Sequence, residues 1–250
     1  MKILERIRLM YHNTLGANIG YILNPTFDYD GLVTNHVVPF LENRKFMAAF
    51  AEAQIGAEKR DDYYRAYLAC CCADYALKLN GDFVECGVFH GVLASTISTY
   101  LEFGKREKKF YLFDTFEGLK VHDKMTDFER KRFDSQIPSY FEVGLYEKCV
   151  RKFSGFENVK LVKGFVPEIL NSVPIKKVSF LHLDMNNHYP EIAALEHFCD
   201  KIERGGIVLF DDYCYSDYYK DTRAAVDSFL SKKSQPIFPI PTGQGIIVKY

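Results

Sequence analysis

The sequence lacks the features that identify several classes of protein. Its seven cysteines include no CxxC pair and are odd in number, which argues against a disulfide framework or a zinc site. Basic residues (32) and acidic residues (33) balance, so no overall field points to nucleic acid or an acidic membrane surface. No apolar run is long enough to cross a bilayer, and the apolar stretch near the start is too short for a secretory signal. We therefore expect a cytoplasmic protein without nucleic-acid or membrane partners.

From Asp82 onward the chain alternates short apolar runs with helical stretches. The runs have strand length and are rich in Val, Leu, Ile or Phe: DFVECG, KFYLFD, NVKLVKG, VSFLHLD and GGIVLFDD. Helices are predicted at VLASTISTYLEFGKR, at PEIAALEHFCDKIER, which should end before Gly205-Gly206, and at DTRAAVDSFLSKK. This alternation predicts an α/β fold with a doubly wound, mostly parallel sheet. The final PIFPIPTGQGIIVKY predicts a hairpin at the sheet edge.

The first 80 residues predict an N-terminal helical elaboration. The stretch AAFAEAQIGAEKRDDYYRAYLACCCADYALKL has helix-compatible apolar spacing and predicts two helices. The preceding GYILNPTFDYDGLVTNHVVPF contains Pro, Asp, Gly and Asn, which break any long helix. We assign residues 1–80 to a cap or oligomer contact and residues 81–250 to the principal domain. Within that domain, residues 117–149 have no clean period and are predicted to form a mobile cover over the site.

Two of the strand-like runs end in acids. Val178 to Leu183 closes on Asp184, and Ile207 to Phe210 closes on Asp211-Asp212. Ligands of open α/β sheets gather beyond the carboxyl ends of parallel strands. Neighbouring strands lie about 4.8 Å apart, so the three acids can converge on one divalent cation with oxygen ligands. The alternative is that Asp211-Asp212 only solvate a strand end, but two acidic strand ends together favour a metal.

A glycine-containing turn, Glu85 to Gly91, follows the first strand and precedes a helix. Such glycines let a ligand approach the backbone, although the turn could also be purely structural. Its GxxxG spacing is not the dinucleotide fingerprint GxGxxG, so a cofactor without a pyrophosphate is favoured. His90 in the turn either contacts that cofactor or shapes the loop. Asp114 ends the second strand, where an acid accepts hydrogen bonds from both ribose hydroxyls or caps the next helix.

Four segments together resemble one family over roughly residues 80–250: FVECGVFHG, FDTFEGL, LHLDMNNHYPEIAALE and GGIVLFDDY. They are similar to the macrocin O-methyltransferase (TylF-like) family of S-adenosylmethionine-dependent enzymes. The resemblance implies a class I methyltransferase fold, which is a Rossmann-like, mostly parallel seven-stranded sheet. It also implies transfer of a methyl group to a sugar hydroxyl with magnesium or another divalent cation, and a homo-oligomer built partly through the N-terminal region. By position, S-adenosylmethionine would be held by Glu85, Gly87 and Asp114, and the metal by Asp184, Asp211 and Asp212.

The match departs from the family pattern at two positions near the acids. Asn186 stands where a second acid is usual, and Tyr189 also replaces an acid. Asn186 can still ligate a metal through its amide oxygen. The reaction also needs a base, for which we consider Asp184, His122 and His188, because carboxylate and imidazole both accept protons near neutral pH. Most lone histidines, however, are surface or packing residues.

The leading hypothesis is thus a metal-dependent O-methyltransferase whose acceptor is a sugar or a glycosylated small molecule. The tyrosines and phenylalanines of TFDYDG and DDYCYSDYYKD could stack on that sugar or its aglycone, or pack in the core. One alternative is methylation of a catechol-like diol, which needs the same chelation. Another is a noncatalytic protein that keeps the cofactor site, suggested by Asn186. A nicotinamide oxidoreductase is disfavoured by the missing GxGxxG.

Overall fold

A computed structural model describes residues 25–250, except for the side chains of residues 136–138. Residues 1–24, where the N-terminal elaboration begins, lie outside the described residues. The described part opens with an antiparallel hairpin of β1 (Phe27–Tyr29) and β2 (Leu32–Thr34). Helices α1 (Arg44–Ala53) and α2 (Tyr63–Ala76) follow, which confirms the two helices predicted there. The assignment of residues 1–80 to a cap or oligomer contact stays a prediction.

A seven-stranded sheet forms the centre of the described region, in the order β5-β4-β3-β6-β7-β9-β8. The strands are β3 (Asp82–Cys86), β4 (Phe110–Asp114), β5 (Val159–Lys163), β6 (Val178–Leu183), β7 (Ile202–Phe210), β8 (Phe238–Pro239) and β9 (Gly245–Val248). Strands β3 to β7 are parallel, whereas β9 runs antiparallel to β7 and pairs with β8. The mostly parallel sheet and the hairpin at its edge are both as predicted.

Helices cover both faces of this sheet. They are α3 (Val92–Tyr100), α4 (Asp127–Tyr140), α5 (Leu145–Lys152), α6 (His188–Phe198) and α7 (Lys220–Lys233), in addition to α1 and α2. Successive strand residues face opposite sides: Phe83 packs in the cluster that contains α2, whereas Val84 packs in the cluster that contains α6 and α7. Burial on both faces explains why the strands read as continuous apolar runs. The fold is the predicted doubly wound one.

The predicted end of the helix before Gly205-Gly206 is wrong. Helix α6 ends at Phe198, and β7 already begins at Ile202. Along β7 the pairing with β6 shifts register between Ile202 and Ile207, and Gly205 adopts a φ of 82°. The two glycines therefore lie in an irregularity of the strand, where left-handed backbone favours glycine, and do not end a helix.

The segment at residues 117–149 is more regular than its sequence suggested. It contains α4 and the beginning of α5, and α4 starts with a capping box in which the Thr126 hydroxyl accepts from the Glu129 main-chain nitrogen at 3.1 Å. The Glu129 carboxylate accepts in return from the Thr126 main-chain nitrogen at 3.1 Å. This pattern of Thr followed three residues later by Glu is readable from sequence. Residues of the segment form one wall of the cavity described below, and its mobility stays a prediction.

Among the described residues, no helix is both long enough and apolar enough to span a membrane.

Candidate active site

Three acids meet at the carboxyl ends of two neighbouring strands. Asp184 directly follows β6, and Asp211 and Asp212 directly follow β7, with the last residues of these strands paired in register. One carboxylate oxygen from each of the three lies within 4.8 Å of the others. Asp212 is only 9% exposed and Asp211 is buried as well. The convergence predicted from the sequence is therefore present.

Crowding and burial shift the proton affinities of these acids in different directions. Burial, with the neighbouring charges of Asp211 and Asp212, raises the pKa of Asp184 well above its usual value. Burial and Asp211 likewise raise the pKa of Asp212. Burial alone would raise the pKa of Asp211, but Arg65 and His182 outweigh it and hold that pKa below its usual range. The acids thus form a site where added positive charge is favoured.

Arg65, in the first turn of α2, reaches these acids. Its Nη2 donates to the main-chain oxygen of Asp211 at 2.6 Å and to Oδ1 of Asp212 at 3.1 Å, and it forms an ion pair with the Asp211 carboxylate. The guanidinium also lies 4.8 Å from the ring centre of Tyr215. Sequence reasoning missed this residue, because nothing in the local pattern of α2 shows which distant strand end it meets.

A second cation, His182, lies between two buried acids. Its Nδ1 lies 3.0 Å from Oε1 of Glu85 on β3, and its Nε2 lies 3.6 Å from Oδ1 of Asp211. Burial would lower the pKa of His182, but Asp211 and Glu85 raise it to about 10. Sequence reasoning missed His182 too. It could have been found from the sequence, because a titratable residue inside an otherwise apolar strand is buried, and buried charges are normally paired.

The other carboxylate oxygen of Glu85, Oε2, is buried and has no hydrogen-bond partner within residues 25–250. Burial raises the pKa of Glu85, and His182 offsets this only in part. Glu85 lines the same cavity as the three acids. An unpartnered buried carboxylate oxygen in a cavity wall is a ready acceptor for a cationic ligand group.

The glycine turn after β3 packs against the end of β6. Gly87 has a φ of 92°, and a Cβ atom there would overlap the main-chain oxygen of Asp184. Asp114 braces the turn through Oδ2, which accepts from the main-chain nitrogens of Val88 at 2.6 Å and Phe89 at 2.9 Å. The alternative that Asp114 caps the next helix is wrong, because α4 begins at residue 127 with Thr126 as its cap.

The three histidines singled out from the sequence lie in different surroundings. In the cavity wall, His90 places Nε2 2.5 Å from Oε2 of Glu142, and His122 places Nε2 3.1 Å from Oδ1 of Asn187. Burial lowers the pKa of His122, which favours its neutral form. His188 instead lies outside that wall, paired through Nδ1 with Glu129 at 2.7 Å. This position does not support His188 as the base.

Asn186 is buried beside the acids rather than turned away from them. Its Nδ2 lies 3.4 Å from Oδ1 of Asp184, and its Oδ1 accepts a hydrogen bond from the Tyr219 hydroxyl at 2.7 Å. Ligation through this amide oxygen would therefore use its remaining lone pair.

These groups surround one cavity of about 410 Å³. The glycine turn, Glu85 and Asp114 lie in its wall together with the three acids. Residues of the 117–149 segment, including Tyr140, close another side. From the run DDYCYSDYYKD, Tyr215 and Tyr219 line the cavity, whereas Tyr213 and Tyr218 do not. The cavity thus combines a turn suited to a cofactor, a cluster of acids and aromatic rings.

Comparisons with protein families and with curated proteins both find O-methyltransferases. The family model for macrocin-O-methyltransferase (TylF) matches residues 47–241. The demethyldecarbamoylnovobiocin O-methyltransferase of Streptomyces niveus is 27% identical over 158 residues, which cover 61% of this chain. The match spans 59% of that curated relative.

Two solved structures share the fold. The O-methyltransferase NovP has a TM-score of 0.66 at 20% identity, over 77% of this chain and 82% of that chain. The calicheamicin methyltransferase CalS11 has a TM-score of 0.56 at 19% identity, over 90% of this chain and 98% of that chain. At these identities the structural similarity establishes the fold alone, and it agrees with the Rossmann-like sheet.

Proposed function

We propose that this chain, which belongs to the macrocin-O-methyltransferase (TylF) family, is an S-adenosylmethionine-dependent O-methyltransferase that uses a divalent metal to methylate a hydroxyl group of a sugar or glycosylated small molecule. The observation that carries the proposal is the placing of Asp184, Asp211 and Asp212 in one cavity with Glu85 and Asp114. A methyl donor and a chelated acceptor must lie side by side for an in-line transfer.

The cofactor end of the cavity fits S-adenosylmethionine. The unpartnered Oε2 of Glu85 would accept from the ammonium group of the cofactor's amino-acid portion. Gly87 leaves the backbone of the turn accessible. Oδ2 of Asp114 accepts from the turn amides and Oδ1 accepts from the main-chain nitrogen of Phe116 at 2.6 Å, so a ribose hydroxyl would donate to the remaining lone pair of Oδ1. When bound, the cofactor supplies a methyl group on a positively charged sulfur.

The acid end of the cavity fits a hard divalent cation. Carboxylate oxygens are the ligands that Mg²⁺ and Ca²⁺ prefer. When all three carboxylates are ionised, they and the guanidinium of Arg65 carry two net negative charges, which one divalent cation neutralises. A bound cation lowers the pKa of a hydroxyl group that it contacts. Asp184, Asp211 and Asp212 would hold it, with Asn186 beside them.

The proton of the acceptor hydroxyl needs a nearby base. Asp184 is the first candidate, because it borders the cavity and Arg65 does not occupy its oxygens. His122 is the second, since burial favours its neutral imidazole and it lies in the cavity wall. Either group accepts a proton only within hydrogen-bond reach of the acceptor.

The relatives support a sugar-bearing acceptor over a simple diol. The name of the Streptomyces niveus relative places its substrate in the novobiocin series, and CalS11 is described as a TDP-rhamnose 3'-O-methyltransferase. Tyr215, which is 53% exposed and lines the cavity, offers an aromatic face on which a pyranose ring can stack.

The test is methyl transfer from S-adenosylmethionine to a panel of glycosides, nucleotide sugars and catechols, with Mg²⁺ or with EDTA. We expect turnover of a sugar acceptor that EDTA abolishes. Asp184→Asn should remove turnover but keep the affinity for S-adenosylhomocysteine, whereas the exposed Asp200→Asn should behave as the parent. Cofactor binding without turnover of any acceptor would favour the noncatalytic alternative, and EDTA-resistant turnover would exclude the metal.

A further inference from the structure

Arg65 lies at the meeting point of the N-terminal helices and the acid cluster. It belongs to α2, yet its side chain is enclosed by the loop that follows β7. We propose that Arg65 is a positioning residue, which holds Asp211 and Asp212 in the orientation that accepts a divalent cation. This inference rests on the proposed metal-dependent function.

The guanidinium is buried within the site and is not an exposed surface charge. Arg65 is 7% exposed, and Nη2 contacts both Asp211 and Asp212. The ring of Tyr215 covers it at 4.8 Å. The contact with the main-chain oxygen of Asp211 fixes the backbone as well as the side chains. Two adjacent carboxylates are thereby tied to one rigid group.

The position of Arg65 is itself fixed from the hairpin. Asp30, in the turn between β1 and β2, accepts from the main-chain nitrogens of Tyr64 at 2.5 Å and of Arg65 at 3.3 Å. Asp30 therefore satisfies the start of α2, where Asp62 makes no side-chain cap. The hairpin, the first turn of α2 and the two acids form a continuous chain of contacts.

Among the described contacts, Arg65 bonds to two of the three acids, so Asp184 stays available to bind the metal. It makes no hydrogen bond to Asp184 among the described contacts, so it fixes only the pair that follows β7. Groups that orient metal ligands without contacting the metal typically change metal affinity by about 10- to 100-fold when they are removed. Without Arg65, Asp211 would keep the hydrogen bond from Gln244 Nε2 at 3.0 Å, but the link between Asp211 and Asp212 would be lost and their repulsion would be unopposed on that side. Binding of a cation would then have to order the pair again.

The experiment measures Mn²⁺ affinity by electron paramagnetic resonance, with Mn²⁺ as the probe for the divalent site. Arg65→Lys keeps the charge but replaces the planar guanidinium with a single ammonium group on a shorter side chain, so we expect Mn²⁺ to bind about tenfold more weakly. For Arg65→Met, which also removes the charge, we expect a loss of up to about a hundredfold. Arg106→Met is the matched control, because Arg106 donates through Nε to the main-chain oxygen of Leu101 at 3.1 Å and does not line the cavity. It should weaken or strengthen binding by less than about fivefold.

Affinity for S-adenosylhomocysteine and the thermal midpoint serve as readouts of folding. Glu85 and Asp114 do not contact Arg65, so cofactor affinity should stay unchanged in Arg65→Lys. If Arg65→Met fails to fold, the Mn²⁺ affinity of Arg65→Lys alone decides whether Arg65 is a positioning residue. Mn²⁺ affinity in Arg65→Lys equal to that of the parent, or equal losses in Arg65→Lys and Arg106→Met, would overturn the positioning role. A parent protein that binds no Mn²⁺ would refute the proposed metal site itself, and the role of Arg65 with it.

Discussion

Raising the pH from about 6.5 to about 8.5 should destabilise the metal-free protein, because the unfolded chain releases a proton that the folded protein still holds. That proton belongs to His182, which is 1% exposed and lies between Glu85 and Asp211. These two acids raise its pKa from 6.5 to about 10 against the opposing effect of burial. The folded state therefore holds the proton more tightly than the unfolded state does. The resulting stability is fully present below pH 6.5 and is lost as the pH rises toward about 10.

The magnitude follows from linkage. Each pH unit between the unfolded and folded pKa values removes about 1.4 kcal/mol, so two units remove about 2–3 kcal/mol. This is a large part of the stability of an ordinary domain, which is about 5–15 kcal/mol. Because His182 is almost fully buried, solvent screening does not reduce the effect.

Urea unfolding with EDTA present, at several pH values in this window, measures the effect. The control is His182→Gln, which does not titrate and should be less stable than the parent at pH 6.5. The difference in unfolding free energy between the two proteins should shrink by about 1.4 kcal/mol per pH unit. A difference that stays constant across the window would refute the assignment of a protonated His182.

Other predictions concern backbone, cofactor and acceptor. Gly87→Ala should cost more than about 2 kcal/mol of unfolding free energy, because the φ of Gly87 is 92° and a Cβ atom there would overlap the main-chain oxygen of Asp184. Gly155 has open space around it, so Gly155→Ala should have nearly the unfolding free energy of the parent in the same urea titration. Glu85→Gln should weaken S-adenosylhomocysteine about tenfold by calorimetry, through loss of a charge-assisted contact; unchanged affinity would remove Glu85 from the cofactor site. Since the chain contains no tryptophan, Tyr215→Trp gives a single reporter, whose fluorescence should respond to an accepted glycoside in the presence of S-adenosylhomocysteine. Tyr218→Trp, outside the cavity wall, should not respond, and equal responses would contradict the stacking role.

The sequence predicted those parts of the fold that depend on local pattern. Strand runs such as VSFLHLD are apolar because both sheet faces are covered, and Asp184 follows its strand directly because the sheet ends there. Parallel order then brings Asp184 beside Asp211 without further information. The end of α6 was mispredicted because Gly205-Gly206 also suits a strand irregularity, and local composition does not separate the two.

The cations of the site could not be located in this way. Arg65 is 146 residues from Asp211 in sequence, and only the packing of α2 on the sheet joins them. His182 and Glu85 were detectable as polar residues within apolar strands, but their pairing depends on the register between β3 and β6. Asp114 was correctly placed at a strand end, yet its bonds to the turn amides required the three-dimensional structure.

The most direct test of the account is a calorimetric titration of the protein with S-adenosylhomocysteine, in Mg²⁺ and in EDTA. The account predicts saturable binding at one site in both buffers, since Glu85 and Asp114 lie on β3 and β4, whereas the three acids follow β6 and β7. Absence of binding in both buffers would contradict the assignment of the cavity to S-adenosylmethionine and, with it, the proposed methyl transfer.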